Sequence, residues 1–243
     1  MTLPALVLVH GGEHAADCWD LTVAELRRQE PALRVLAVDL PGHGEEPGEL
    51  ATATVADWVD CVVSRIDAEG LNEVVVVGHS LAGLTVPGVV TKLGSARVRE
   101  MILIAASVPP QGVAIVDTLS GPIAWYARRS ARVGKSMSMP ALLARRSFCN
   151  GMTREQRQFT LSRLCPESTA VLMEPADRSA LPDDVPRTWI LTMRDKSLSP
   201  ANQRRSIDAL GGVNTVISLD TCHDAMVSEP RRLAQVLVER CRS

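Results

Sequence analysis

Four consecutive valines at positions 74–77 run straight into Gly78-His79-Ser80-Leu81-Ala82-Gly83. A short, wholly apolar run of this kind reads as a strand buried on both faces of a parallel sheet. The residues just after the valines constrain the chain further. A strand that turns into a helix within one tight bend tolerates only small residues two positions before and after the apex, because larger side chains collide as the chain reverses. Gly78 and Ala82 meet that condition around Ser80, and Gly83 lets the following helix lie close to the sheet. Such a turn lifts the Ser80 hydroxyl above the sheet at a helix N-terminus, where a nucleophile belongs. The competing reading is an ordinary turn with an incidental serine.

The rest of the chain fits a sheet of this type. Strand-like apolar runs occur at 5–9, 34–38, 73–77 and 101–105, and amphipathic helical stretches at 19–29 and 55–69 separate the first three. In the second stretch Val55, Trp58, Val59, Val62, Val63 and Ile66 follow helical spacing, Thr54 or Thr52 caps the start, and Gly70 ends it. Residues 108–185 then lack a clean strand and carry helical pieces at 113–128 and 153–164. Strand character returns at 188–193 and 215–219, before a last amphipathic helix at 230–240. The expectation is an α/β fold, a mostly parallel sheet flanked by helices. Its core would be 1–107 and 186–243, and 108–185 would form a helical lid over the carboxyl ends of the strands.

Composition narrows the partners. With 26 basic against 28 acidic residues and a net charge of -2, the chain has no electrostatic footprint for nucleic acid or an anionic membrane. The six cysteines lack paired spacing, which fits reduced structural thiols and neither a disulfide framework nor a zinc site. The opening Met1-Thr2-Leu3-Pro4 shows no basic region before a long apolar stretch, so a secretory signal is not expected and the setting is read as cytoplasmic. The expected partner is a small-molecule substrate, with a homodimer left open.

A nucleophilic serine needs a base, and the base an orienting acid. Of the five histidines, His223 lies just after the last strand and just before the final helix. That puts it at the same end of the sheet as Ser80. Asp195 follows the strand at 188–193 in the same way. Asp220 and Asp224 compete with it but flank the base too closely to reach its far nitrogen, and Asp195 could instead be a turn carboxylate paired with Arg194 or Lys196. His10 and His43 sit in loops after strands, as pocket walls or as backbone partners. For a developing oxyanion, the Leu81 amide at the helix start and the Gly12 amide in His10-Gly11-Gly12-Glu13-His14 are the candidate donors. Gly11, His14, His79, Trp125, Tyr126, Met137 and Met139 are the candidate substrate contacts. The lid's aromatic and thioether residues suit an apolar substrate, though each could simply pack lid onto core.

With these residues in place, the chain resembles the α/β-hydrolase superfamily over nearly its full length. The matching stretches are HGG at 10–12, DLPGHG at 39–44, GHSLAG at 78–83, RDKSLSPANQR at 194–204 and CHDAMVSEP at 222–230. Within it the chain is most similar to the small esterase and hydroxynitrile lyase branch, which includes plant methylesterases. The resemblance implies Ser80 as nucleophile, His223 as base and then acid, Asp195 as its orienting partner, and an oxyanion hole from Gly12 and Leu81, with no metal or organic cofactor. The lyases carry Thr after the first-loop His and Lys after the catalytic His; here Gly11 and Asp224 occupy those places. Nothing then stabilises a departing cyanide, so hydrolysis of an ester, lactone or thioester is expected over lyase or C–C-bond cleavage. A non-catalytic small-molecule receptor is the third reading.

Overall fold

Six strands pair into one sheet: β1 (Ala5–Val9), β2 (Val35–Val38), β3 (Val74–His79), β4 (Val98–Ile104), β5 (Arg187–Thr192) and β6 (Thr215–Leu219). This is a computed structural model, and it describes residues 3–119, 125, 128–130, 132–133 and 136–243. The strand order is β2-β1-β3-β4-β5-β6 and every pairing is parallel.

The sheet is buried because its strands are apolar on both faces. Ala5, Val7 and Val9 of β1 point to one side, with Val74 and Val76 of β3, and meet the helices Val55–Ala68 and Thr85–Leu93. Leu6 and Leu8, with Val75 and Val77, point to the other side and meet Asp20–Gln29 and Pro230–Arg242. Alternate residues of one strand therefore feed two separate cores, which is what a continuous valine run requires. Of the two caps considered for the helix from Val55, Thr54 takes the role: its hydroxyl accepts from Asp57 N–H and Asp57 answers in a capping box.

One expectation shifts. β4 begins at Val98, three residues before the apolar run suggests, because Arg99 points outward and the Glu100 carboxylate is held internally by Arg240 at 2.7 Å and by Thr188 at 2.5 Å. Between β4 and β5 the described residues form no strand; they include the helices Ile115–Thr118, Ala141–Ser147, Arg154–Leu161 and Thr169–Met173, and helical residues at 125, 128–130 and 132. The helix expected over 113–128 falls partly outside the described residues. Among the described residues, no helix is long and apolar enough to cross a membrane.

Sheet order fixes where a site can form. The chain places β2 on one side of β1 and β3 on the other, with Val9 level with Gly78. Loops leaving β1 and β3 thus diverge to opposite sides, opening a crevice at the carboxyl ends of adjacent strands.

Candidate active site

Ser80 sits in that crevice with φ of 50°, a left-handed conformation that a residue with a Cβ adopts only under constraint. The small neighbours show what the constraint is. A Cβ on Gly78 would lie 2.7 Å from Val86 and 3.2 Å from Ala82; one on Gly11 would lie 2.7 Å from the Ser80 Cβ. Gly83 makes room for the loop after β4, since a Cβ there would meet the Ser107 carbonyl at 2.5 Å. The Ser107 N–H in turn donates to the Ser80 carbonyl at 2.9 Å, pinning the elbow.

The Ser80 hydroxyl lies 2.9 Å from His223 Nε2, and His223 Nδ1 lies 2.7 Å from Asp195 Oδ2. Asp195 is itself held on every side. Its Oδ1 accepts from the Ser197 and Leu198 amides at 2.8 and 2.7 Å, and its Oδ2 from the Thr192 hydroxyl at 2.9 Å and the Gln203 amide at 3.3 Å. A carboxylate only accepts, so His223 Nδ1 carries the proton and Nε2 is left to accept from serine. Burial favours neutral forms of both groups. The mutual attraction wins: Asp195 stays below the usual carboxylate value and His223 rises above the usual imidazole value. The competing acids are engaged elsewhere. Asp220 is exposed and pairs with Arg194, while Asp224 is buried 3.2 Å from His14 Nε2.

The loop after β1 is pinned peptide by peptide. His10 Nδ1 donates to the Gly11 carbonyl at 2.9 Å, and its Nε2 accepts from the Leu40 amide, a neutral imidazole by geometry. Because the peptide is trans, fixing the Gly11 carbonyl aims the Gly12 N–H the opposite way. The Glu13 N–H is already taken by Glu167 at 3.0 Å. Gly12 and Leu81 both line the cavity beside Ser80.

That cavity, about 170 Å³, is walled by Ile115, Leu119, Met137, Met139, Phe148 and Leu172 on its apolar side. The Phe148 ring stacks on His223 at 5.6 Å and 22°. Larger clefts of about 320 and 410 Å³ elsewhere contain none of the three triad side chains.

Of the expected substrate contacts, Met137 and Met139 reach this cavity. Trp125 does not: it is 63% exposed, with Arg129 stacked 5.7 Å from its ring. Tyr126 lies outside the described residues. Gly11 and the two buried histidines stand behind the triad, with the His79 Nε2–H donating to the His223 carbonyl and His14 bonded to Gly12 and Asp224. None of the three lines the cavity. His79, His223 and Asp224 bring metal-capable atoms within 4.8 Å of one another, but these hydrogen bonds already occupy both His223 nitrogens, His79 Nε2 and Asp224 Oδ2.

Sequence reasoning missed two acids in the cavity wall, Glu13 and Glu167. Glu13 directly follows Gly12 in the loop after β1, which was a usable signal; Glu167 carried none. Burial, with Glu167 nearby, pushes the Glu13 carboxyl up to about 7 against a bond from the Met139 amide that favours the anion. A carboxyl raised in the fold stabilises it fully below the unfolded value and loses that contribution as pH rises through about 7. Glu13→Gln keeps an acceptor for Met139. It is expected to gain about 1–2 kcal/mol at pH 8.5, roughly 3–6 °C in Tm, and little at pH 4. Thermal melts of both proteins at the two pH values check this; an equal shift at both would refute it.

Known proteins share this architecture. A family model described as alpha/beta hydrolase family matches residues 6–236. The carbendazim hydrolyzing esterase of Nocardioides sp. (strain SG-4G) is 33% identical over 116 residues, 46% of each chain. Methylesterase 18 of Arabidopsis thaliana is 24% identical over 257 residues, covering 98% of this chain and 97% of that one. Among solved structures, an extracellular alpha/beta-hydrolase from a Paenibacillus species superposes with a TM-score of 0.87 at 23% identity, over 99% of this chain and 100% of that one.

Proposed function

The chain belongs to the alpha/beta hydrolase family and is an esterase-type enzyme of it, and we propose that it cleaves a carboxylic ester, lactone or thioester of a small, largely apolar substrate through an acyl-enzyme on Ser80. The observation that carries this reading is the unbroken Ser80–His223–Asp195 chain, at 2.9 and 2.7 Å, opening into an apolar cavity.

Ser80 Oγ attacks the carbonyl carbon as its proton passes to His223 Nε2. The imidazolium so formed is held against the Asp195 carboxylate. The Gly12 and Leu81 N–H groups, the latter in the first turn of a helix and without an intrahelical acceptor, receive the oxyanion. His223 then protonates the leaving oxygen or sulfur, the acyl group stays on Ser80, and a water deprotonated by His223 releases the acid.

The cavity's size and walls support the substrate class. It is smaller than the roughly 300–1,000 Å³ of a drug-sized site, which suits a short acyl chain or a single ring. The Glu167 carboxylate in the wall would repel a substrate bearing its own carboxylate, and Glu13 adds to this as pH rises through about 7. The segment at 108–185 supplies most of the apolar wall, which supports its reading as a lid. Six free cysteines support a reducing, cytoplasmic setting. Lyase chemistry is disfavoured, because position 224 offers a carboxylate turned toward His14 where a cation would be needed.

Intact-mass analysis after fluorophosphonate treatment tests the assignment. One adduct on the wild type, none on Ser80→Ala, and transfer of ¹⁸O from labelled water into the acid released from a small neutral ester are expected. A folded wild type that hydrolyses no ester of a broad panel would overturn it, whether or not Ser80 labels.

A further inference from the structure

Behind the triad lies a second buried histidine–carboxylate pair. His14 and Asp224 are 2% and 0% exposed. His14 Nε2 is 3.2 Å from Asp224 Oδ2, and His14 Nδ1 is 2.7 Å from the Gly12 carbonyl. Both partners can only accept. A neutral imidazole has a single N–H, so satisfying both demands a proton on each nitrogen, an imidazolium.

The surroundings agree with a charge here. Asp224 is also approached by His79, whose Nε2 is 3.9 Å from Oδ1 but spends its proton on the His223 carbonyl. Glu13 and Asp17 add negative charge toward His14, while neutral His10, His79 and the base His223 face it from the other elements, and the Cys165 thiol donates to its carbonyl. Burial alone would push the His14 imidazole down, but Asp224 and the Gly12 carbonyl raise it to about 9.

The pair also has a strategic position. Asp224 follows the base His223 in the loop after β6, and His14 closes the oxyanion loop after β1. We propose that His14 is a fixed imidazolium which, clamped by Asp224, acts as a positioning residue: it ties the loop of the base to the loop of the oxyanion donor and holds the Gly12 peptides in the orientation that receives the oxyanion. The proposal rests on the esterase reading above. It touches neither substrate nor reacting atoms. Loss of the clamp therefore slows acylation while leaving ground-state binding in place.

Two measurements test it. In protein labelled with ring-¹⁵N histidine, the His14 signals, assigned by their loss in His14→Gln, should report both nitrogens protonated at pH 7. Asp224→Asn keeps shape but removes the charge. It should lower kcat and the rate of Ser80 phosphonylation together, about 10- to 100-fold, with KM within about twofold. A neutral His14 in the wild type, or an Asp224→Asn protein that is folded and phosphonylated at the wild-type rate, would overturn the proposal. The nitrogen spectrum needs only wild-type fold, and phosphonylation needs no ester. Failure of the esterase reading would show separately, as labelling of Ser80 without turnover of any ester.

Discussion

Ester hydrolysis by Ser80→Ala is expected to fall by about five to six orders of magnitude in kcat, with the folded protein otherwise intact. The substitution removes one atom, Oγ, whose bond within the site is to His223 Nε2 at 2.9 Å. The interactions that shape the elbow survive it. The Ser107 amide still donates to the carbonyl of residue 80, and the Cβ that packs against Gly11 remains. Alanine meets the same left-handed strain as serine at φ of 50°, so stability should change by less than about 1 kcal/mol. Steady-state kinetics and a melt on the same preparation check both halves. Substantial residual turnover in a folded variant would mean that another group attacks.

Asp195→Asn is expected to cost about 10⁴ in kcat through a switch of tautomer. The Ser197 and Leu198 amides both donate to Oδ1, so they will select the oxygen of an asparagine for that position. The NH₂ then occupies the Oδ2 position, 2.7 Å from His223 Nδ1. It can only donate there. His223 must accept at Nδ1 and carry its proton on Nε2, facing Ser80 with no lone pair to offer. The pH profile gives an independent check. In the wild type, kcat/KM should decline as pH falls through the His223 value, which Asp195 holds above the usual 6.5 against the opposing effect of burial. Without that carboxylate the acid limb should move to lower pH. An unshifted limb would mean that another group sets it.

The fold and the meeting of Ser80, His223 and Asp195 were legible because each part carries a local signature at a strand end. Valine runs mark buried strands, and the small residues at 78 and 82 mark the elbow. Asp195 and His223 each follow an apolar run. The features that escaped depend on partners distant in the chain. Glu100 lies inside β4 because Arg240, 140 residues away, neutralises it; local periodicity sees only charges interrupting an apolar run. Asp224 looked redundant beside the base, and its partner His14 is 210 residues away. Glu13 and Glu167 meet across 154 residues. In the segment 108–185, residue type alone could not separate Met137 and Met139, which face the cavity, from Trp125, which faces solvent.

The order of strands has a consequence for how the molecule comes alive during folding. Ser80 and its base are separated by 143 residues, and the base and its acid by 28, so the site closes only after β5 and β6 have added to the edge of a sheet already built around β1 and β3. Parallel pairings of this kind are slow to form. Regain of ester hydrolysis after dilution from denaturant should therefore trail the burial of Trp58, which lies in the helix Val55–Ala68 and packs edge-on against His43. Catalysis in such a chain is a timestamp on the last unit to dock.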